Sequence, residues 1–155
     1  RYWLREVFVA AALDKKQFKN ITVLDISAKG LERSRRRIPN APIKWVESDI
    51  LNCPLVDIEI WHDRAVFHFF TDVKYIKRYV DITSNEIVKG GYLILGTFSE
   101  TGPEKCSGLT ITQYSKTKFQ SLFGEHFKLI ECFNETHHTP FNTQQNFIWV
   151  VLQRS

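Results

Sequence analysis

Methionine is absent from the 155 residues, cysteine numbers three and glycine seven. The chain opens Arg-Tyr-Trp in place of an initiator methionine, so the expectation is a chain processed or incomplete at its front. Cys53, Cys106 and Cys132 are odd in number and widely spaced, with no CxxC pair. That spacing excludes a disulfide framework and fits a reducing cytosol. No apolar run approaches the roughly 18 residues that a membrane helix needs. The longest clean one is Val7–Leu13, and no small-residue cleavage site of a secretory signal follows it. Linkers, repeats and low-complexity stretches are missing as well.

What is present describes a globular chain. Hydrophobic residues make up 43%, charged residues 25% and aromatics 14%, a balance that excludes intrinsic disorder. One domain is expected over residues 1–155. The net charge of +4 is concentrated in Lys29, Arg33, Arg35, Arg36 and Arg37. Such a run either holds phosphates, nucleic acid included, or forms the solvated face of a helix.

The patterning alternates between two periods. Arg5–Phe18 has helical spacing, and Ile21–Ile26 reads as a nearly continuous apolar strand. Ser27 caps a helix running to about Arg37, which Pro39 stops. Strands are expected at Ile43–Val46 and Ile58–Trp61. The longest helix is expected over Asp72–Val88, closed by Gly90-Gly91. A strand Tyr92–Phe98 follows, then a helix capped by Ser115, a strand Phe127–Phe133 and a last strand Asn146–Leu152. Cys106, His137 and His138 fall in loops on this reading. Alternating strands and helices imply an α/β fold with a mostly parallel sheet. The final two strands have no helix between them and should be antiparallel.

Two acids stand at successive strand ends. Asp25 closes the first strand, where a carboxylate accepts hydrogen bonds from both hydroxyls of a nucleoside ribose; beside Ser27 it is equally a helix-start residue. Asp49 follows the second strand, where a carboxylate accepts from the exocyclic amine of adenine while Ile26 and Ile50 sandwich the ring.

Four segments carry a resemblance. They are Ile21-Thr-Val-Leu-Asp-Ile-Ser27, Glu47-Ser-Asp-Ile50, Trp61-His-Asp-Arg-Ala-Val-Phe-His-Phe69 and Lys89-Gly-Gly-Tyr-Leu-Ile-Leu-Gly96. In this order the chain resembles the class I S-adenosylmethionine (SAM)-dependent methyltransferases, closest to small bacterial-type members whose fourth strand ends in Asp-Arg. The resemblance implies a Rossmann-like sheet in strand order 3-2-1-4-5-7-6, the last strand antiparallel. It also implies SAM as cofactor, held by Asp25, Ile26, Asp49, Ile50 and His62, with His62 and Asp63 lining the methyl-transfer site. The family's Gly-rich loop has no counterpart here, because no glycines form GxGxG. The expectation is that this loop and the first, central strand lie upstream of Arg1.

Methyl transfer needs alignment above all, since the sulfonium methyl is already electrophilic. A base helps where the acceptor carries a proton. Asp63, His68 and His62 are the candidates, and Arg64 is placed to orient an anionic substrate or a carbonyl. Asp63 and Arg64 pairing with each other, and His68 filling a core, are the structural alternatives. His62, Cys106, His137 and His138 lack the close ligand pairs of a zinc site, so no metal is expected. The expected activity is methyl transfer to a small-molecule or protein acceptor, with no membrane partner. A non-catalytic remnant of the fold and an NAD-dependent dehydrogenase fragment are the competing readings.

Overall fold

The computed structural model describes residues 18–138 and 143–155. The chain divides into two compact units, Arg1–Pro54 and Leu55–Ser155. The expected helix Arg5–Phe18 lies outside the described residues, apart from Phe18.

In the first unit, β1 (Ile21–Asp25) and β2 (Ile43–Glu47) form a parallel pair running from Ile21 opposite Ile43 to Asp25 opposite Glu47. Helix α1 (Ala28–Arg35) makes the crossover. Its start is as expected: the Ser27 hydroxyl accepts a hydrogen bond from the Gly30 N–H at 3.2 Å. Leu31 and Ser34 turn inward. Lys29 and the four arginines are all exposed, and Arg36 pairs with Glu32 at 2.8 Å across one helical turn.

The second unit is built on a four-stranded sheet in the order β3-β4-β8-β7. Its strands are β3 (Ile58–Arg64), β4 (Ile87–Phe98), β7 (Phe127–His138) and β8 (Gln144–Arg154). β3 and β4 are parallel, joined by helix α2 (Val73–Glu86); β8 runs antiparallel to both β4 and β7. A two-stranded hairpin, β5 (Lys105–Cys106) with β6 (Leu109–Thr110), precedes helix α3 (Lys116–Phe123). Among the described residues β1 and β3 are each laddered on one side only.

The two faces of this sheet differ. Trp61, Asp63, Leu93, Leu95, Ile148, Val150 and Leu152 point to one side and are all buried. Ile76, Tyr79 and Val80 of α2 and Phe119 and Phe123 of α3 are buried too. Phe67 sits among them, its ring 4.7 Å from that of Tyr79, 4.9 Å from Tyr114 and 5.6 Å from Phe123. The other side carries Ile60, His62, Tyr92, Ile94, Trp149 and Val151, all half-buried or exposed. It becomes buried only at its carboxyl end, with Phe98 and Phe147.

Five local expectations are corrected. α2 ends at Glu86 rather than Val88, and β4 begins at once with Ile87. Gly90 and Gly91 do not close the helix. They lie in β4, beside the irregularity between Ile58 and Ile60 of its partner, with Gly90 at φ +81° and a Cβ on Gly91 blocked 2.9 Å from the Glu59 carbonyl. His137 and His138 lie on β7, opposite Gln145 and Gln144, instead of in a loop. Cys106 lies in the β5–β6 hairpin, and Ser115 sits at the N-cap of α3 without a side-chain cap bond.

Candidate functional site

In the first unit the parallel pairing of β1 and β2 brings two carboxylates to adjacent strand ends. Asp25 is the last residue of β1 and is buried; its Oδ1 accepts from the Ser27 N–H at 2.7 Å. Burial pushes its pKa up, and the backbone N–H groups of Ser27 and Ile26 pull against that. A Cβ on Gly30 would stand 3.3 Å from Asp25 Oδ2. Ile26, the next residue, is 72% exposed. Asp49 closes its own loop, with Oδ1 accepting from Leu51 N–H at 2.9 Å and Oδ2 from Asn52 Nδ2 at 3.1 Å. The Ser48 N–H donates to the Asp25 carbonyl at 3.0 Å, tying the two loops together. Ile50, directly after Asp49, is half-buried.

In the second unit the end of β3 sends consecutive residues to opposite sides, as strand geometry requires. Asp63 faces the helices. Its Oδ2 accepts from the Tyr79 hydroxyl at 2.7 Å, and that hydroxyl accepts from Trp61 Nε1 at 3.1 Å. Asp63 Oδ1 accepts from the Val66 N–H at 3.1 Å, bracing the turn in which Ala65 has φ +65°. Burial raises the Asp63 pKa to about 6 against these stabilising bonds. The Tyr79 hydroxyl is pushed well above its ordinary value by burial and by the neighbouring Asp63.

His62 and Arg64 face the other side. The His62 ring lies 5.9 Å from Trp149, and the Arg64 guanidinium carbon 4.6 Å from the Phe147 ring centroid. Arg64 is buried. The 3-10 turn Phe67–Phe69 straddles the sheet end: Phe67 enters the helix-covered core, while His68 stacks on Phe98 at 4.8 Å and 14°. His68 is 0% exposed, and neither ring nitrogen has a hydrogen-bond partner. Burial, helped by the Arg64 charge, lowers its pKa to about 4; the same two causes lower that of His62.

The structure thus brings His62, Arg64 and His68 to one side and places Asp63 on the other. Asp25, Ile26, Asp49 and Ile50 gather in the first unit. Asp63 bonds Tyr79, and not Arg64 as in the structural alternative. Cys106 is half-buried against Phe98, Ile111 and Phe147; burial raises its pKa and Arg64 opposes that. His138 meets Gln144 at 3.2 Å on the exposed hairpin. The three cysteines are free, and no group of acids, histidines and cysteines able to hold a metal occurs among the described residues. No helix among them is long and apolar enough to cross a membrane.

Two residues of this region were not singled out from the sequence for the site. Tyr79 is visible there only as one apolar position of a helix. Trp149 lies across the sheet, its Nε1 donating to Glu135 Oε2 at 2.8 Å and its ring stacked on Phe133 at 6.5 Å. The indole also covers Gly96: a Cβ at that position would stand 2.7 Å from two ring carbons. Gly96→Ala should therefore cost about 1–3 kcal/mol, the range for overpacking. Urea unfolding measures it, and a change below about 0.5 kcal/mol would show that the indole moves aside freely.

Parallel strand pairs crossed over by a helix in each unit, with an antiparallel hairpin closing the sheet of the second, are an α/β arrangement of the kind that class I methyltransferases have. A methyltransferase domain model matches residues 6–95, more than half of the chain and running through both units, and the chain belongs to that family. Solved structures agree in fold. The N-methyltransferase NodS from Bradyrhizobium japonicum is 15% identical with a TM-score of 0.74, over 94% of this chain and 80% of that one. Its complex with S-adenosylhomocysteine matches at 15% identity and TM-score 0.70, over 94% and 73%. A SAM-dependent methyltransferase from Methanosarcina mazei matches at 12% identity and TM-score 0.76, over 94% and 86%. No curated protein matches in sequence. The chain is thus a methyltransferase domain.

Proposed function

We propose that this methyltransferase acts in the cytoplasm on a small-molecule or protein acceptor held at the carboxyl end of β3 and β4. The clustering of His62, Arg64 and His68 there, on the sheet face away from the helices, carries the reading. The family match through both units supports treating them as a single methyltransferase domain.

The residues present fit the adenosine part of the cofactor. Asp25 uses Oδ1 on its own loop and turns Oδ2 toward Gly30, where the absence of a side chain keeps the approach open. This leaves Oδ2 to accept from the ribose hydroxyls. Ile26 and Ile50 supply apolar surface for the purine, and Asp49 shapes the loop that carries Ile50. When bound, the cofactor supplies an electrophilic methyl group. His62, Arg64 and His68 bind and orient the acceptor, and the flanking aromatic rings exclude water. Asp63 acts as a positioning residue: its oxygens are engaged by Tyr79 and the Val66 N–H, and it fixes the turn that carries Arg64 and His68.

Calorimetric titration of the whole protein with S-adenosylhomocysteine tests the reading, and absence of binding at millimolar ligand would leave only a non-catalytic fold. Asp25→Ala should weaken that binding by about 1.5–3 kcal/mol, the range for hydrogen bonds to a charged group. Unchanged affinity would reduce Asp25 to a helix-start residue.

A further inference from the structure

Strand β7 is paired with β8 along its whole length, and no strand among the described residues lies along its other edge. From this edge we infer that the protein associates with a second copy of itself. β7 pairs with β7 in antiparallel register about a two-fold axis at Cys132, joining the two four-stranded sheets into one.

An edge strand presents a row of unpaired N–H and C=O groups, and natural proteins blunt such edges with shortness, proline, lysines or bulges. β7 runs for 12 residues, holds no proline and carries Lys128 as its one lysine. Its irregularity is one extra residue, Ile130, between Leu129 and Glu131. That bulge selects a register.

Side chains directly opposite each other in an antiparallel pair leave the sheet on the same face. Leu129, Cys132 and Asn134 lie opposite Leu152, Val150 and Ile148 of β8, on the helix-covered face. Lys128, Glu131, Phe133 and Glu135 lie opposite Gln153, Val151, Trp149 and Phe147, on the other face. With the axis at Cys132, Glu131 meets Phe133 of the second copy. Beyond the bulge, Leu129 meets Asn134 and Lys128 meets Glu135. Each of these pairs matches in face, because the extra residue shifts both arms alike.

The charges sort the same way. Lys128 opposite Glu135 occurs twice by symmetry, and opposite charges across a strand pair are favourable. Moving the axis to Glu131 sets that carboxylate against its own copy. Moving it to Phe133 sets Glu131 opposite Glu135, again twice. Like charges directly opposite are destabilising, so both neighbouring registers are disfavoured. Glu135 need not be unengaged for its part: it accepts from Trp149 Nε1 at 2.8 Å, which holds the carboxylate in place. Ile130 and Phe133 are 49% and 47% exposed, and the bulge brings Ile130 level with Phe133 of the second copy. β3 lies at the far edge of the sheet, so this pairing leaves its carboxyl end open.

The test is sedimentation equilibrium of the whole protein from micromolar to near-millimolar concentration, where the mass should rise toward twice that of one chain. Lys128→Glu, an exposed change that sets like charges opposite at two places, should weaken association by about tenfold or more. Opposed Cα atoms stand about 4.5–5.5 Å apart in an antiparallel pair, within the span of a disulfide. Diamide, which takes up the two electrons and two protons released, should therefore join two chains through Cys132. Cys132→Ser, which keeps Cys53 and Cys106, should not be joined. The mass of one chain at every concentration, a dimer that diamide does not link through Cys132, or undiminished association of Lys128→Glu overturns the proposal.

Discussion

Replacing His68 with phenylalanine is expected to give a more stable protein, by about 1–3 kcal/mol at pH 7. The imidazole is fully buried with no partner for either nitrogen, and a buried group left unsatisfied costs about that much. Phenylalanine keeps the stack on Phe98 and brings no polar atom. The gain should grow on acidification. Unfolded, the imidazole titrates near 6.5; folded, near 4. The folded state therefore resists protonation, and native stability falls as pH drops from 6.5 toward 4. A shift of this size is worth about 3 kcal/mol at about 1.4 kcal/mol per unit. The variant lacks that loss. Guanidinium unfolding at pH 7, 5.5 and 4.5 reads both effects. A variant less stable than the native protein at pH 7, or a difference that ignores pH, would contradict the assignment. A residue that lowers stability where phenylalanine would raise it is the signature of a group kept for function.

Tyr79→Phe should act in the opposite sense, with a loss of about 2–5 kcal/mol. One hydroxyl is removed, and two buried partners lose their bonds: Asp63 Oδ2 at 2.7 Å and Trp61 Nε1 at 3.1 Å. Each orphaned group costs about 1–3 kcal/mol. The pH dependence identifies which partner matters more. Asp63 has a folded pKa raised to about 6 from 3.8, so it favours the folded state below pH 3.8 and loses that contribution as pH rises through 6. The Tyr79 bond stabilises the ionised form, so removing it raises the Asp63 pKa further. The destabilisation should accordingly be larger at pH 7 than at pH 4. Equal losses at both values would show that Trp61, rather than the carboxylate, depends on the hydroxyl.

Both predictions concern side chains gathered around the end of β3, where Asp63 and Arg64 lie on opposite sides of the sheet. That Asp63 and Arg64 face opposite ways follows from strand geometry alone. Which of them meets the helices does not, because it depends on where α2 lands. Tyr79 reaching Asp63 and Trp61 across 16 and 18 residues is a contact between elements, invisible to any local pattern. Trp149 over Gly96 is similar: it requires the register in which β8 lies against β4.

By itself the sequence determined the order of strands and helices from Ile21 onward, the β5–β6 hairpin apart, together with the start of α1 at Ser27 and of α2 at Asp72 and the acids at the ends of the first parallel strands. Each rests on periodicity or on a side chain bonding its own backbone within a few residues. Tertiary structure alone decided where α2 gives way to β4, because Ile87 is taken by pairing with Ile58. It also carried β7 and β8 out to His138 and Gln144. Ladder hydrogen bonds join backbones, so a strand continues through polar residues as long as its partner is alongside. The same reason governs the carboxyl end of β3, where strand pairing and a 3-10 turn bring His62, Arg64 and His68 to the same side of the sheet.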